Sequence, residues 1–383
     1  MKEISAAPAK RQIVWLDAAR FLAMLFVCVS HAGDTFNCNP PAGEEALYNF
    51  WGAIWGSLSR FCVPVFAMIT GYLLLPVRTG HAEFYKKRIG RVLPPFLFWS
   101  VIYCLLPGVI GLIGGDLKTL KVLIPFAEEQ PLTFAACLPN IAKILFNFNW
   151  ITTHMWYVYM LIGLYLILPV VSAWYHTASE RAKWGFVGLW GVTLFIPYLR
   201  HLLGGMNLWG VCEWNDTGMF YGFAGFTGYL LFGSLLGRMK PWSWGKTAAI
   251  AAPLFIAGFL TVFFGFRHFQ LANPEYNADW ELFWWYCSPQ VAAMSAAVFL
   301  FAKKFDRLPP RLAGFLGEVN RCGFGVYLCH YALIGLCNRF LVRPLRLPAW
   351  LQLPLMAALA FIAAFSLIHF VRRIPGVGRK ITG

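Results

Sequence analysis

Charge is what this chain has least of. Only 13% of its 383 residues are Asp, Glu, Lys or Arg, against 59% hydrophobic, and the mean hydropathy is +0.59. Soluble globular domains carry about 25% charged residues, so this composition excludes them. No polar stretch is long enough to form a separate domain, and 1–383 reads as one membrane domain. Acidic residues are the scarcer sign, 17 against 32 basic ones, leaving a net charge of +15. Nucleic-acid binding would need a soluble basic face or a known module. Neither is visible, so no nucleic-acid partner is expected, and the excess reads as topology plus attraction to anionic membrane lipids. Cys-x-x-Cys pairs and metal-ligand spacings are missing too, and no metal is expected. Most of the ten cysteines sit in apolar runs, where Cys behaves as a small apolar residue. Cys38, Cys137 and Cys212 fall in outer segments, where a disulfide is possible but not implied.

Long apolar runs are what the chain has instead. A bilayer core of about 30 Å needs about 20 mostly apolar residues per helix. Runs of that kind lie near 13–31, 50–75, 92–113, 156–174, 185–202, 218–237, 247–265, 282–301, 323–340 and 350–370. The fold class is therefore all-α, a polytopic integral membrane protein of about ten transmembrane helices. The first run holds Asp17 and Arg20 and lacks a small-residue cleavage site, so it is not a cleaved signal peptide. Lys and Arg concentrate in alternate segments, among them Lys86, Lys87, Arg88 and Arg91, then Lys303 and Lys304, then Arg372 and Arg373. The positive-inside rule then places both termini in the cytoplasm, with 1–12 and 371–383 as tails. The outer segment 114–154 is too long for a plain connector and suits amphipathic interfacial helices covering an acceptor site.

Ionisable side chains at membrane depth are costly and mark sites or pathways. In the first run, Asp17 precedes Arg20 by three residues and can pair with it. Arg20 and His31 are eleven residues apart, which at 100° per residue returns to within about 20° of one helix face and spans roughly 16 Å. The plain alternative is that the pair locks helix packing and His31 caps the helix in interfacial water. In the second run, Arg60 precedes Pro64, whose missing N–H suggests a kink or an opened carbonyl. Arg88 and Arg91, in the basic inner loop, have the spacing to clamp phosphates, unless they are ordinary positive-inside charge. Arg321 has Glu318 as its simplest partner, Arg339 snorkels at a helix end, and His330 falls near mid-span.

Five motifs in order resemble the acyltransferase 3 family, and within it the bacterial surface polysaccharide O-acetyltransferases of the kind acting on enterobacterial common antigen. They are Arg20 with ten residues before His31; Arg60-Phe-Cys-Val-Pro64-Val-Phe66 to Thr70-Gly71-Tyr72-Leu73; Arg88-Ile-Gly-Arg91; His154-Met-Trp156-Tyr157; and Gly325-Val-Tyr327-Leu-Cys-His330. Together they cover nearly the full chain. Thr70 stands where the family usually has Ser, and the hydroxyl is retained. The resemblance implies transfer of an acyl group, acetyl above all, from cytoplasmic acyl-CoA to a hydroxyl of a glycan across a bacterial inner membrane.

Coenzyme A carries phosphate charges that cannot cross hydrocarbon, whereas its pantetheine arm is much less charged. Arg88 and Arg91 are accordingly expected to hold the phosphates, with Arg20, Arg60 and Thr70 around the channel mouth and acetyl-CoA as co-substrate. His31 would act as general base toward the acceptor hydroxyl, or as a nucleophile carrying the acyl group; both roles stay open. Asp17 supports Arg20. His154, Trp156, Tyr157 and His330 are the acceptor-site candidates, against an aromatic interfacial belt for Trp156 and Tyr157. A secondary transporter using Asp17, Arg20 and His31 is the competing function, but no internal repeat of broken helices supports it.

Overall fold

The computed structural model describes residues 12–146, 149–273 and 278–383, so nearly all of the expected tail 1–12 lies outside the described residues. The protein is 78% helical, and no strand occurs among the described residues. In chain order the helices are α1 (Val14–Cys38), α2 (Glu45–Ser59), α3 (Cys62–Leu74), α4 (His81–Leu112), α5 (Leu117–Leu123), α6 (Phe134–Ala142), α7 (Trp156–Thr177), α8 (Glu180–Thr193), α9 (Ile196–Leu202), α10 (Thr227–Arg238), α11 (Trp244–Ala272), α12 (Pro289–Ala302), α13 (Pro310–Cys337), α14 (Ala349–Val371) and α15 (Gly378–Thr382).

Among the described residues, seven helical stretches are long and apolar enough to cross a bilayer: Val14–Cys38, Glu45–Leu74, His81–Leu112, Trp150–Thr177, Trp244–Ala272, Pro310–Leu345 and Ala349–Val371. The other three expected spans fall on shorter helices, and each has a local cause. The run 185–202 divides into α8 and α9, where Pro197 sits in the first turn of α9. Near 218–237 the chain begins as a tight turn with Gly218 and Gly225 at positive φ, and α10 starts only at Thr227. Around 282–301, Pro289 opens α12, which is 14 residues long.

Two boundaries matter for the site. α4 begins at His81, so the basic segment expected as a loop is the first turns of a 32-residue helix. Lys and Arg are good helix formers and the helix simply outruns its apolar part. Between α2 and α3 the helix breaks at Arg60 and Phe61, because Pro64 leaves the Arg60 carbonyl without its N–H partner four residues on.

α1 is the central element, packed against α2, α3, α13 and α14. α3 lies so close on α10 that a Cβ at Gly71 would overlap the Leu230 carbonyl, and one at Gly233 would overlap the Met68 backbone. Small residues permit such backbone approach between membrane helices. Gly71→Ala should therefore force α3 and α10 apart and destabilise the protein by about 1–3 kcal/mol, the usual cost of overpacking. Thermal melting in detergent checks this; an unchanged melting temperature would contradict it.

The segment 114–154 holds α5 and α6, capped by Asp116 and Thr133. The Thr119 backbone N–H and hydroxyl both donate to Asp116 and hold its carboxyl below the usual range. In the expected tail 371–383, α15 folds back on α4, and the Trp99 indole N–H donates to the Ile381 carbonyl at 2.9 Å. All ten cysteines are free thiols.

Candidate active site

A cavity of about 300 Å³ opens between α1, α3, α4, α7 and α13. Its cationic lining is Arg20 from α1 with Arg88 and Arg91 from α4; Thr70 adds a hydroxyl from α3. Arg88 and Arg91 are three residues apart on one helix, which brings both to the same face. Arg20 also contacts Asp17 at 3.3 Å, so Asp17 holds it from the far side of the cavity wall. The Asp17 carboxylate accepts a second bond from Gln12 at 2.7 Å, and its backbone carbonyl accepts one from Asn320 at 3.1 Å. Thr70 donates its own proton back to the Phe66 carbonyl at 2.9 Å, leaving its oxygen to act as an acceptor. Asn320 and three tyrosines, Tyr157, Tyr165 and Tyr327, also line it, and the rest of the wall is apolar, from Met24, Val27, Ile69, Leu161 and Phe324 among others.

The far end of the cavity is closed by Val27, Phe66, Tyr157 and Tyr327. The Tyr157 and Tyr327 rings meet edge to face at 5.6 Å. One helical step further along each of three segments stands a histidine: His31 four residues after Val27, His330 three after Tyr327, and His154 three before Tyr157. The three imidazole centroids form a triangle of 5.3, 5.8 and 6.3 Å. His154 and His330 are wholly buried, while the side chain of His31 is 18% exposed.

Each ring is held by a definite partner. His31 Nδ1 lies 3.0 Å from the Asp34 carboxylate. His330 Nδ1 faces the Tyr327 carbonyl at 2.7 Å, and His154 Nε2 faces the Leu328 carbonyl at 3.3 Å. Tyr331 stacks on His154 at 4.7 Å and meets His31 edge-on at 5.1 Å. Tyr327 ties the two layers together by donating its hydroxyl to the His154 carbonyl. His154 itself sits in a tight turn over Trp150–Met155, just before α7, started by the Asn149 side chain accepting from the Ile151 and Thr152 N–H groups. Asp34 was not foreseen, although its three-residue offset from His31 repeats the offset between Asp17 and Arg20.

The structure does not bring Arg60 to the cavity. It sits at the break between α2 and α3, with its guanidinium over the Trp284 and Tyr286 rings at 4.9 and 4.5 Å. It donates to the Tyr286 hydroxyl and to Ser30 Oγ, the latter at 3.3 Å, and so lies at the depth of His31 rather than of Arg20. Trp156 stacks on the same Tyr286 at 5.5 Å and belongs to that aromatic group, whereas its neighbour Tyr157 lines the cavity. Arg321 donates to Glu318 at 2.7 Å, and Arg339 is exposed.

One bundle of apolar helices thus holds an arginine-lined cavity and, one helical step beyond its end, a cluster of three histidines. The acyltransferase domain family matches residues 13–369, and the chain belongs to that family: it is an acyltransferase 3 family membrane acyltransferase. No curated relative and no solved structure matches the chain.

Proposed function

We propose that this protein transfers an acyl group, most simply acetyl, from coenzyme A to a hydroxyl of a glycan, with the donor and acceptor entering from opposite ends of the bundle. The observation carrying this reading is the alignment of the cavity with the histidine cluster: the arginine-lined cavity ends one helical step short of three histidines on the same three segments. Arg88 and Arg91 would bind the donor phosphates bidentately. A volume of about 300 Å³ is at the small end of ligand pockets and suits the pantetheine arm rather than the nucleotide. The thioester would then lie against the Tyr157 and Tyr327 layer, with Arg20 beside the arm.

His31 serves as general base. Its Nδ1 proton is directed to Asp34, which leaves Nε2 to take the proton of the acceptor hydroxyl. The hydroxyl oxygen bonds to the thioester carbonyl carbon, the carbon–sulfur bond breaks, and the sulfur leaves with a proton returned by His31. Asp34 fixes the tautomer and steadies the cationic ring. Asp34→Asn should lower turnover by about 10²-fold, the smaller end of what positioned proton transfer is worth; steady-state kinetics on purified enzyme measures it, and unchanged turnover would remove Asp34 from the mechanism. The basic chamber faces the cytoplasm of a bacterial inner membrane, in keeping with the placement of Lys and Arg.

The reading as a whole is tested by giving the protein in lipid nanodiscs radiolabelled acetyl-CoA and a surface-glycan extract. Alkali-labile label in the glycan with equivalent release of free coenzyme A is expected. Neither product forming, with protein shown to be folded, would overturn it.

A further inference from the structure

Tyr165 of α7 lines the cavity, and among the described residues its hydroxyl has no hydrogen-bond partner. Elsewhere in the bundle Tyr103 donates to the Cys329 carbonyl, Tyr198 to the Leu282 carbonyl and Tyr229 to the Tyr286 carbonyl, as enclosed tyrosines usually do. Phe84 meets the Tyr165 ring edge to face at 6.3 Å, which holds the ring without engaging its hydroxyl. The guanidiniums of Arg88, Arg91 and Arg20 are all within electrostatic reach of it. A guanidinium only donates, so none of them can take the Tyr165 proton. Asp17, the carboxylate beside Arg20, already accepts from Arg20 and Gln12. Three cations and a free hydroxyl thus line one cavity, a donor set that suits an anion rich in oxygen.

Depth along α7 says which oxygen. Tyr157, Leu161 and Tyr165 follow one another at four-residue steps along the cavity wall, so Tyr165 lies about 12 Å from the layer that closes the far end. In a coenzyme A thioester about thirteen bonds separate the sulfur from the nearest phosphorus, roughly 15 Å at the pitch of an extended chain. With the thioester at the Tyr157 layer, a slightly bent arm brings that phosphate level with Tyr165. We infer, resting on the reading of this cavity as the donor site, that Tyr165 donates its hydroxyl proton to the phosphate joined to the pantetheine arm and so is a further donor-binding residue. Arg88 and Arg91 supply charge to any phosphate within reach. Tyr165 registers the arm lengthwise and sets how far the thioester extends toward His31.

The test is equilibrium binding of phosphopantetheine, coenzyme A and pantetheine to the full chain in nanodiscs, parent against Tyr165→Phe. The substitution keeps the ring on Phe84 and removes a hydroxyl that no protein group uses, so the ligand-free melting temperature should not change. A drop in it would contradict the inference, because the hydroxyl would then be spent within the protein. Phosphopantetheine and coenzyme A should each bind the variant about tenfold or more weakly, the worth of one hydrogen bond to a charged acceptor, and pantetheine should bind both proteins alike. Equal affinity of parent and variant for phosphopantetheine would overturn the inference and leave the donor reading standing, and so would a loss of pantetheine binding that matches the loss of phosphopantetheine. A parent protein that binds phosphopantetheine no better than pantetheine would overturn the donor reading of the cavity, and the inference with it.

Discussion

Replacing His31 by alanine is expected to lower acyl transfer by about 10³-fold, within the 10²–10⁴ that positioned proton transfer contributes. His31 combines the features the step needs. It is the partly exposed member of the histidine triangle, and Asp34 holds its Nδ1 at 3.0 Å. His154 and His330 cannot replace it, because each is fully buried with one nitrogen committed to a backbone carbonyl. Donor binding should survive the change, since the arginines line the cavity and His31 does not. The measurement is kcat against KM for acetyl-CoA: kcat should fall and KM stay within a few-fold. Turnover within tenfold of the parent would remove His31 from the chemistry, and an acetyl group trapped on His31 of the parent protein would make it a nucleophile instead.

The second large effect belongs to Arg88 and Arg91. A hydrogen bond to a charged group is worth about 1.5–3 kcal/mol, or about 10- to 100-fold in affinity. The Arg88→Ala, Arg91→Ala double variant should therefore weaken coenzyme A binding by about 10²-fold or more. Dephosphorylated pantetheine should bind both proteins alike, because it has no phosphate for the guanidiniums to hold. Lysine at the two positions should restore charge but not bidentate geometry, and recover only part of the loss. Equilibrium binding in nanodiscs reads all three. Unchanged affinity for coenzyme A in the double variant would mean that these arginines are topological charge and nothing more.

Much of this arrangement can be read from residue spacing along helices. The eleven-residue step from Arg20 to His31 lies on one unbroken helix, and the wall residues Met24 and Val27 fill the steps between them. Asp34 lies three residues beyond the end of the apolar run at 13–31, and it joins His31 only because α1 continues to Cys38. Other features depend on distant parts of the chain. Arg60 leaves the expected channel mouth because Trp284 and Tyr286, more than 220 residues later, cage its guanidinium. Helix lengths were blurred for a different reason. Apolar composition locates a run, but Pro197, Gly225 and Pro289 decide where helix begins within it, and charge hid the first turns of α4 although Lys and Arg propagate helix well.

The central claim is that donor and acceptor meet through the bundle from opposite sides, and sidedness tests it most directly. Protein is reconstituted in liposomes in one orientation, with membrane-impermeant acetyl-CoA outside and a glycan acceptor trapped within. Vesicles exposing the Arg88 and Arg91 end should acetylate the trapped glycan while free coenzyme A stays outside, and vesicles of the opposite orientation should do neither. Acetylation of a glycan supplied on the same side as acetyl-CoA, with the trapped glycan left untouched, would contradict the account.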